Sequence, residues 1–342
     1  MATINFKPKQ VTKKITSHLH DRARDVLMNR FGLTSEVERK TLEEIGKKYG
    51  ITRERVRQIE EAAINLVKKS DAYKGEQSVF EELKQLVMTL GHVVSEHELL
   101  THISKDKSTQ NHIHFYLTLS NHFKKHREDD AFHSRWSVND ELAEKVHAAL
   151  RKLYASLKDE DLIIESEMIK RFLDGMKDIS DEYRNEEMAK RWLSMSKNIS
   201  KNPLGEWGKA SSPNIRTRGV KDYAYLVMRR HGSPMHFREV ADSISKTFNK
   251  KIHYATCHNE LIKDSRFVLV GRGLYALSEW GYKTGIAREV IRDILKKEGP
   301  LSKDDIVKKV MKERYFKKNT ILVNLANPKH FKKNKQGMFA VV

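Results

Sequence analysis

Cysteine is almost absent from the 342 residues: the single one, Cys257, excludes an intrachain disulfide framework and fits a reducing compartment. Six prolines and sixteen glycines exclude long Gly/Pro-rich linkers and favour helices with short connections. No apolar run approaches the ~18 residues that a membrane span needs. Met1 to Lys14 contains lysines with no apolar core behind them, so a secretory signal is not indicated. No P-loop glycine motif occurs. The acids lie in amphipathic patterns among basic neighbours, not at strand ends, so no catalytic constellation emerges. The expectation is a cytoplasmic, non-enzymatic protein without cofactor or metal.

What is abundant is charge. Of all residues 32% are charged and 39% hydrophobic, which builds several small cores more readily than a single large one. The formal charge of +19 points to polyanionic partners, nucleic acid ahead of anionic membrane. Its distribution is uneven: +7 over residues 1–75, −3 over 76–217, +5 over 218–282 and +10 over 283–342. Nucleic-acid contact is therefore expected at the two ends.

Near the N-terminus the pattern becomes specific. Thr41 and Glu44 form a capping box before an amphipathic helix with Leu42, Ile45 and Tyr49 on one face. Gly50 ends that helix and Thr52 caps the next. In the second helix Val56, Ile59, Ala63 and Leu66 read as the inner face. Two short helices around a glycine turn make a helix-turn-helix, whose second helix places its N-terminal residues at base edges in the major groove. Arg53 suits guanine, Glu54 can accept from cytosine and Gln58 can pair with adenine. Thr52, Arg55 and Arg57 are candidates for phosphate or partner contact. A solvated amphipathic helix fits the same spacing, so periodicity alone does not decide.

A longer match does. Val26-Leu27-Met28-Asn29-Arg30-Phe31-Gly32-Leu33, followed by TLEEIGKKYGITRERVRQIEEAA over 41–63, resembles region 4 of sigma-70-family factors across about residues 19–69. The resemblance implies recognition of the minus-35 promoter element in double-stranded DNA, with Arg53, Glu54 and Gln58 reading bases. It also implies docking on the β flap of bacterial RNA polymerase through the helix from about Leu19 to Phe31. His20-Asp21 stands where that family has Thr-Pro. About 18 residues precede the match and none resembles the family's core-binding regions, so the chain is not expected to initiate transcription alone.

The remainder reads as four similar units. Each has an apolar helix, a turn, a capped acidic helix, a polar third helix and a terminal aromatic segment. The equivalent acids are Glu98, Glu167, Glu239 and Asp305, and the aromatics are Trp136, Trp207, Tyr275 and Phe339. Three helices and a hairpin are the winged-helix plan. In the third unit Arg266–Val270, Gly271-Arg272-Gly273 and Leu274–Leu277 spell a hairpin; the second shows no convincing one. The third unit, about 220–282, is similar to the HARE-type helix-turn-helix domain. The expected fold is mainly α: a helix-turn-helix domain (1–75), then tandem winged-helix units with small β-hairpin wings at 76–139, 140–217, 218–282 and 283–342. In the last, Lys317, Lys318, Lys332, Lys333 and Lys335 read as phosphate contacts, together with Lys329.

Nine of the sixteen histidines fall between His92 and His147. His122 and His126 have a metal-compatible spacing, but no carboxylate or cysteine completes the pattern. Trp192, Trp207 and Trp280 read as core anchors. The expected function is sequence-specific, sigma-like DNA binding in bacterial transcription. The alternative is a polymerase-binding adaptor that uses the same domain mainly for protein contact.

Overall fold

The structure is a computed structural model that describes residues 4–176, 180, 183–282, 287–313, 316, 318–334 and 336–342. It opens with α1 (Pro8–Ile15), α2 (Asp21–Phe31), α3 (Leu42–Tyr49), α4 (Arg53–Lys69) and the short α5 (Asp71–Lys74). Pro8 stands at the first turn of α1, where a missing N–H costs nothing. Both halves of the Thr41–Glu44 capping box form. Gly50 ends α3 with φ of 62°, a left-handed conformation that glycine adopts without penalty.

Four winged helices follow. The first comprises α6 (Gln77–Thr89), β1 (Val93–Ser95), α7 (Glu96–Ile103), α8 (Lys107–Leu119), β2 (Lys124–His126) and β3 (Arg135–Ser137). The second has α9 (Asp140–Ser156), α10 (Glu165–Asp174), α11 (Glu186–Ser194), β4 (Ile199–Lys201) and β5 (Trp207–Lys209). The third has α12 (Val220–His231), β6 (Met235–His236), α13 (Phe237–Phe248), α14 (Tyr254–Lys263), β7 (Phe267–Gly271) and β8 (Leu274–Leu277). The fourth has α15 (Ala287–Glu298), α16 (Lys303–Glu313), α17 (Lys318–Leu325), β9 (Phe331–Lys333) and β10 (Phe339–Val341).

The repeat is physical. In every unit the segment after the first helix pairs antiparallel with the last strand of the wing, and the repeated aromatic sits at that pairing. Val94 lies opposite Trp136, Ile163 opposite Trp207, Met235 opposite Tyr275 and Leu301 opposite Phe339. Glu98, Glu167, Glu239 and Asp305 all stand three residues past the N-cap of the second helix. There a carboxylate complements the helix dipole, and Glu239 also accepts from the backbone N–H of His236 at 3.0 Å.

Two expectations change. The second unit does have a wing, with β4 and β5 paired antiparallel from Ile199–Lys209 to Lys201–Trp207; strands of three residues leave too little alternation to read. In α4, Val67 is buried and Leu66 is 50% exposed. The inner face runs through Val56, Ala63 and Val67 because a period of 3.6 drifts from a repeat of three.

The chain divides into two compact units, Met1–Lys201 with Gly205–Ser211, and Asn202–Leu204 with Ser212–Val342. In the first unit a single core joins α1, α2 and the end of α4 to the first winged helix, through Ile15, Leu27, Phe31, Val67, Phe80 and Phe115. Trp192 and Trp207 anchor the core of the second winged helix. Trp280 packs, half-buried, beside Val268, Val270 and Ala276 of the third. The fourth closes on Ile291, Ile306, Ile321 and Phe331. No described helix is long and apolar enough to cross a membrane.

Candidate nucleic-acid interface

The helix-turn-helix rests on a small core of its own: Val26, Ile45 and Val56, ringed by Leu42, Tyr49, Ile51 and Ile59. Its tight turn depends on a second glycine that periodicity does not single out. A Cβ on Gly46 would lie 2.7 Å from the carbonyl oxygen of Ile51, whose own N–H donates to the Gly46 carbonyl at 3.0 Å. A glycine inside an otherwise helical pattern was the available signal of that close approach.

Thr52 caps α4, its hydroxyl accepting from the N–H of Arg55 at 3.2 Å. Past the cap, Arg53, Glu54, Arg55, Arg57 and Gln58 are all exposed. They are ordered by one another. Arg57 donates to both carboxylate oxygens of Glu54, at 3.0 and 2.6 Å, and also to Glu61. Arg55 Nη1 donates to Gln58 Oε1 at 3.0 Å. The hydrogen bond from Arg57 holds the Glu54 carboxyl below its ordinary range, so it is an acceptor at neutral pH. Flanked by two glutamates, Arg57 is a weaker phosphate ligand than its charge suggests, whereas Arg53 forms no ion pair among the described residues. The exposed start of α4 thus presents a cation, an anionic acceptor and an amide on one surface.

The second expected surface lies in the fourth winged helix. Lys318 opens α17, Lys332 and Lys333 lie on β9, Lys329 precedes that strand, and all four are exposed. Lys317 and Lys335 lie outside the described residues.

The third helices, which a winged helix presents to a groove when it binds DNA, differ sharply. α8 was expected to be polar, yet nine of its thirteen residues are buried, including His112, His114, Phe115 and Tyr116. It packs on α1 and α2, and Asn111 Nδ2 donates to the carbonyls of Gly32 and Val37 in the loop between α2 and α3. α11 packs on β1; there Trp192 Nε1 donates to the Gly91 carbonyl at 3.0 Å and Arg191 pairs with Glu98 at 3.1 Å. By contrast α14 buries only Cys257 and Leu261, and α17 only Ile321 and Leu325.

The histidine cluster resolves differently from its sequence spacing. His122 sits in a turn, and the residues brought together are His126, Glu144 and His147. Arg135 Nε donates to His147 Nε2 at 2.7 Å. A neutral imidazole has one lone pair, and that bond occupies it. Burial and the neighbouring Arg135 push His147 down to about 3, so the ring is neutral and faces a fixed cation. This is a poor seat for a metal ion. Cys257 is buried, and burial pushes its thiol up to about 12, which makes it unreactive.

Comparison with known proteins agrees with both resemblances. Residues 17–69 match the family described as "Sigma-70, region 4". Residues 218–280 match the HARE-HTH family, whose description includes the ASXL and restriction endonuclease HTH domain. The RNA polymerase sigma factors RpoD of two Helicobacter pylori strains are each 46% identical over 56 residues, which is 16% of this chain and 8% of the relative. No solved structure matches the chain. The chain therefore carries two helix-turn-helix domains of DNA-binding type.

Proposed function

We propose that this protein is a sequence-specific, cytoplasmic DNA-binding factor of bacterial transcription that reads a minus-35-like promoter element through α4. Arg53, Glu54 and Gln58 read base edges; Thr52, Arg55 and, more weakly, Arg57 contact phosphate or a partner. Lys318, Lys332 and Lys333, with Lys317 and Lys335, hold flanking backbone. The domain division proposed is 1–75, 76–139, 140–217, 218–282 and 283–342, with the first two sharing a core. The observation that carries the reading is the exposed face over the first two turns of α4, with three base-reading chemistries, inside the stretch similar to sigma region 4.

The adaptor alternative draws less support. Leu27 and Phe31 of α2, the helix expected to dock on the polymerase flap, are buried in the core shared with the first winged helix. Polymerase contact through α2 would rely on what it leaves exposed, Asp21 and Arg22.

Selection of bound sequences from a random duplex pool, followed by gel shift, tests the proposal. A recurring hexamer is expected, and Arg53→Ala with Gln58→Ala removes the preference while the circular dichroism spectrum is unchanged. If hexamer binding is indifferent to both substitutions and polymerase pull-down persists, the adaptor reading replaces it.

A further inference from the structure

A cavity of about 540 Å³ opens between α1, α2, α8 and the loop from Leu33 to Val37. That volume is typical of small-molecule sites. Its wall combines three cations, Lys9, Lys13 and Arg24, with six serine and threonine hydroxyls and an apolar part made by Met28, Leu33 and Val37. Among the described residues no carboxylate lines it.

The cations have distinct roles. Arg24 is engaged by the wall itself, donating to the carbonyls of Thr16, Ser17 and Leu19 at 3.1, 2.6 and 2.7 Å. Lys9 and Lys13, one turn apart on α1, are exposed and form no ion pair among the described residues. Their neighbour Lys14, by contrast, pairs with Glu76 at 2.5 Å.

At the base lies an ordered relay. Tyr116 donates to the Pro8 carbonyl. Thr12 Oγ1 sits 2.8 Å from the Tyr116 hydroxyl and 2.7 Å from His112 Nδ1. With the tyrosine proton committed to Pro8, Thr12 donates to tyrosine and His112 Nδ1–H donates to Thr12. The lone pair of His112 then lies on Nε2. The rim is strained as well: Val37, a β-branched residue, has φ of 57°, and Asn111 holds its carbonyl at 3.0 Å. Strain of this kind clusters at ligand clamps.

We propose that this cavity binds a small phosphorylated organic anion of nucleotide size, its phosphates at Lys9 and Lys13 and its apolar body against Met28, Leu33 and Val37. Two unpaired ammonium groups one turn apart match a multiply charged head, and the hydroxyls of Thr34, Ser35 and Ser108 supply further donors, those of Thr12, Thr16 and Ser17 being committed within the wall. A ligand seated there touches α1, α2 and α8 at once. It therefore tightens the joint between the helix-turn-helix and the first winged helix, and stabilises the fold by mass action.

Calorimetric titration of the full chain with ADP and GDP tests this, with inorganic phosphate and adenosine as probes of the head and the body alone. The expected result is one saturable site for a nucleotide, tighter than either part by about tenfold or more. Lys9→Glu with Lys13→Glu weakens it about tenfold, while the charge-matched pair Lys296→Glu with Lys297→Glu, exposed on α15, changes it less than about twofold. The imidazole resonances of His112 shift on saturation. The proposal is overturned if neither nucleotide saturates a site, or if phosphate alone binds as well. Equal weakening by both pairs of variants, or saturation with His112 unmoved, overturns it too.

Discussion

The first and third winged helices share one plan and use it in opposite ways. In the first, the third helix is a clamp: α8 buries nine of thirteen residues and holds α1, α2 and the loop after α2. In the third, the corresponding α14 buries two of ten and leaves Tyr254, Ala255, Thr256 and Asn259 exposed. The wing and the strand pairing are alike in both. A repeat therefore conveys the architecture of a unit and says little about what its third helix faces. Composition along that one helix makes the difference: α8 carries Ile113, Phe115 and Leu117 interleaved with His112, His114 and Tyr116, whereas α14 has isolated apolar positions.

Truncation inside the clamp should produce the largest contrast. Phe115 packs against Phe31 with ring centroids 4.9 Å apart and the rings tilted by 57°, and both are buried. Phe115→Ala is expected to destabilise the first unit by about 3–5 kcal/mol, while Thr256→Ala, on exposed α14, stays within about 0.5 kcal/mol. Urea unfolding followed by hydrogen exchange at each helix measures both. Equal effects would erase the distinction between clamp and free helix.

Acid should loosen the clamp next, by on the order of 1–3 kcal/mol. Burial and then Lys9 push His112 down to about 4, and burial and then Arg39 push His114 down to about 3, from an ordinary 6.5. Below 6.5 the unfolded chain takes up protons that the folded chain refuses. Stability is therefore complete above that value and is lost as pH falls towards the folded-state values. Exchange protection in α8 should drop between about pH 7 and pH 5, with α14 changing less. Protection in α8 that is flat across this range would show that neutral histidines are not part of the clamp.

How much of this was legible follows from the physics of each signal. Caps and left-handed glycines act within four residues, so Thr41, Glu44, Gly50 and Thr52 were readable and stand where expected. The aromatic and acidic periods were readable because each marks a fixed place in a unit, opposite the first strand or three residues into the second helix. What α8 packs against was not readable, because the contact of Asn111 with Gly32 and Val37 spans more than seventy residues. The exposure of Leu66 was lost to the ambiguity between spacings of three and four. At the site, the side chains of α4 were legible one by one, but their mutual pairing was not. The capture of Arg57 by Glu54 and Glu61 depends on rotamers that spacing merely permits.

That pairing separates two neighbours on α4 and gives a finer comparison. Arg53 is unpaired among the described residues, and Arg57 is held by two carboxylates. On the proposed target, Arg53→Ala should cost about 1–3 kcal/mol of discrimination at one base pair. Arg57→Ala frees Glu54 and Glu61 from their partner, and should lower affinity for all sequences by less than that. Competition gel shifts against single-base variants of the selected site distinguish the two. A larger loss of discrimination for Arg57→Ala would invert the assignment.

The smallest effect compares the two ends of the chain. If α4 reads bases and the C-terminal lysines neutralise backbone, Lys332→Ala with Lys333→Ala should weaken binding to every sequence alike. The slope of log affinity against log salt should become shallower by roughly 0.9 for each phosphate that is no longer neutralised. Both side chains are exposed on β9, and their main-chain groups pair with Ala340 and Phe339, so removing the charges leaves the hairpin intact. An unchanged slope accompanied by altered base preference would move sequence reading to the fourth winged helix and reverse the roles of the two ends.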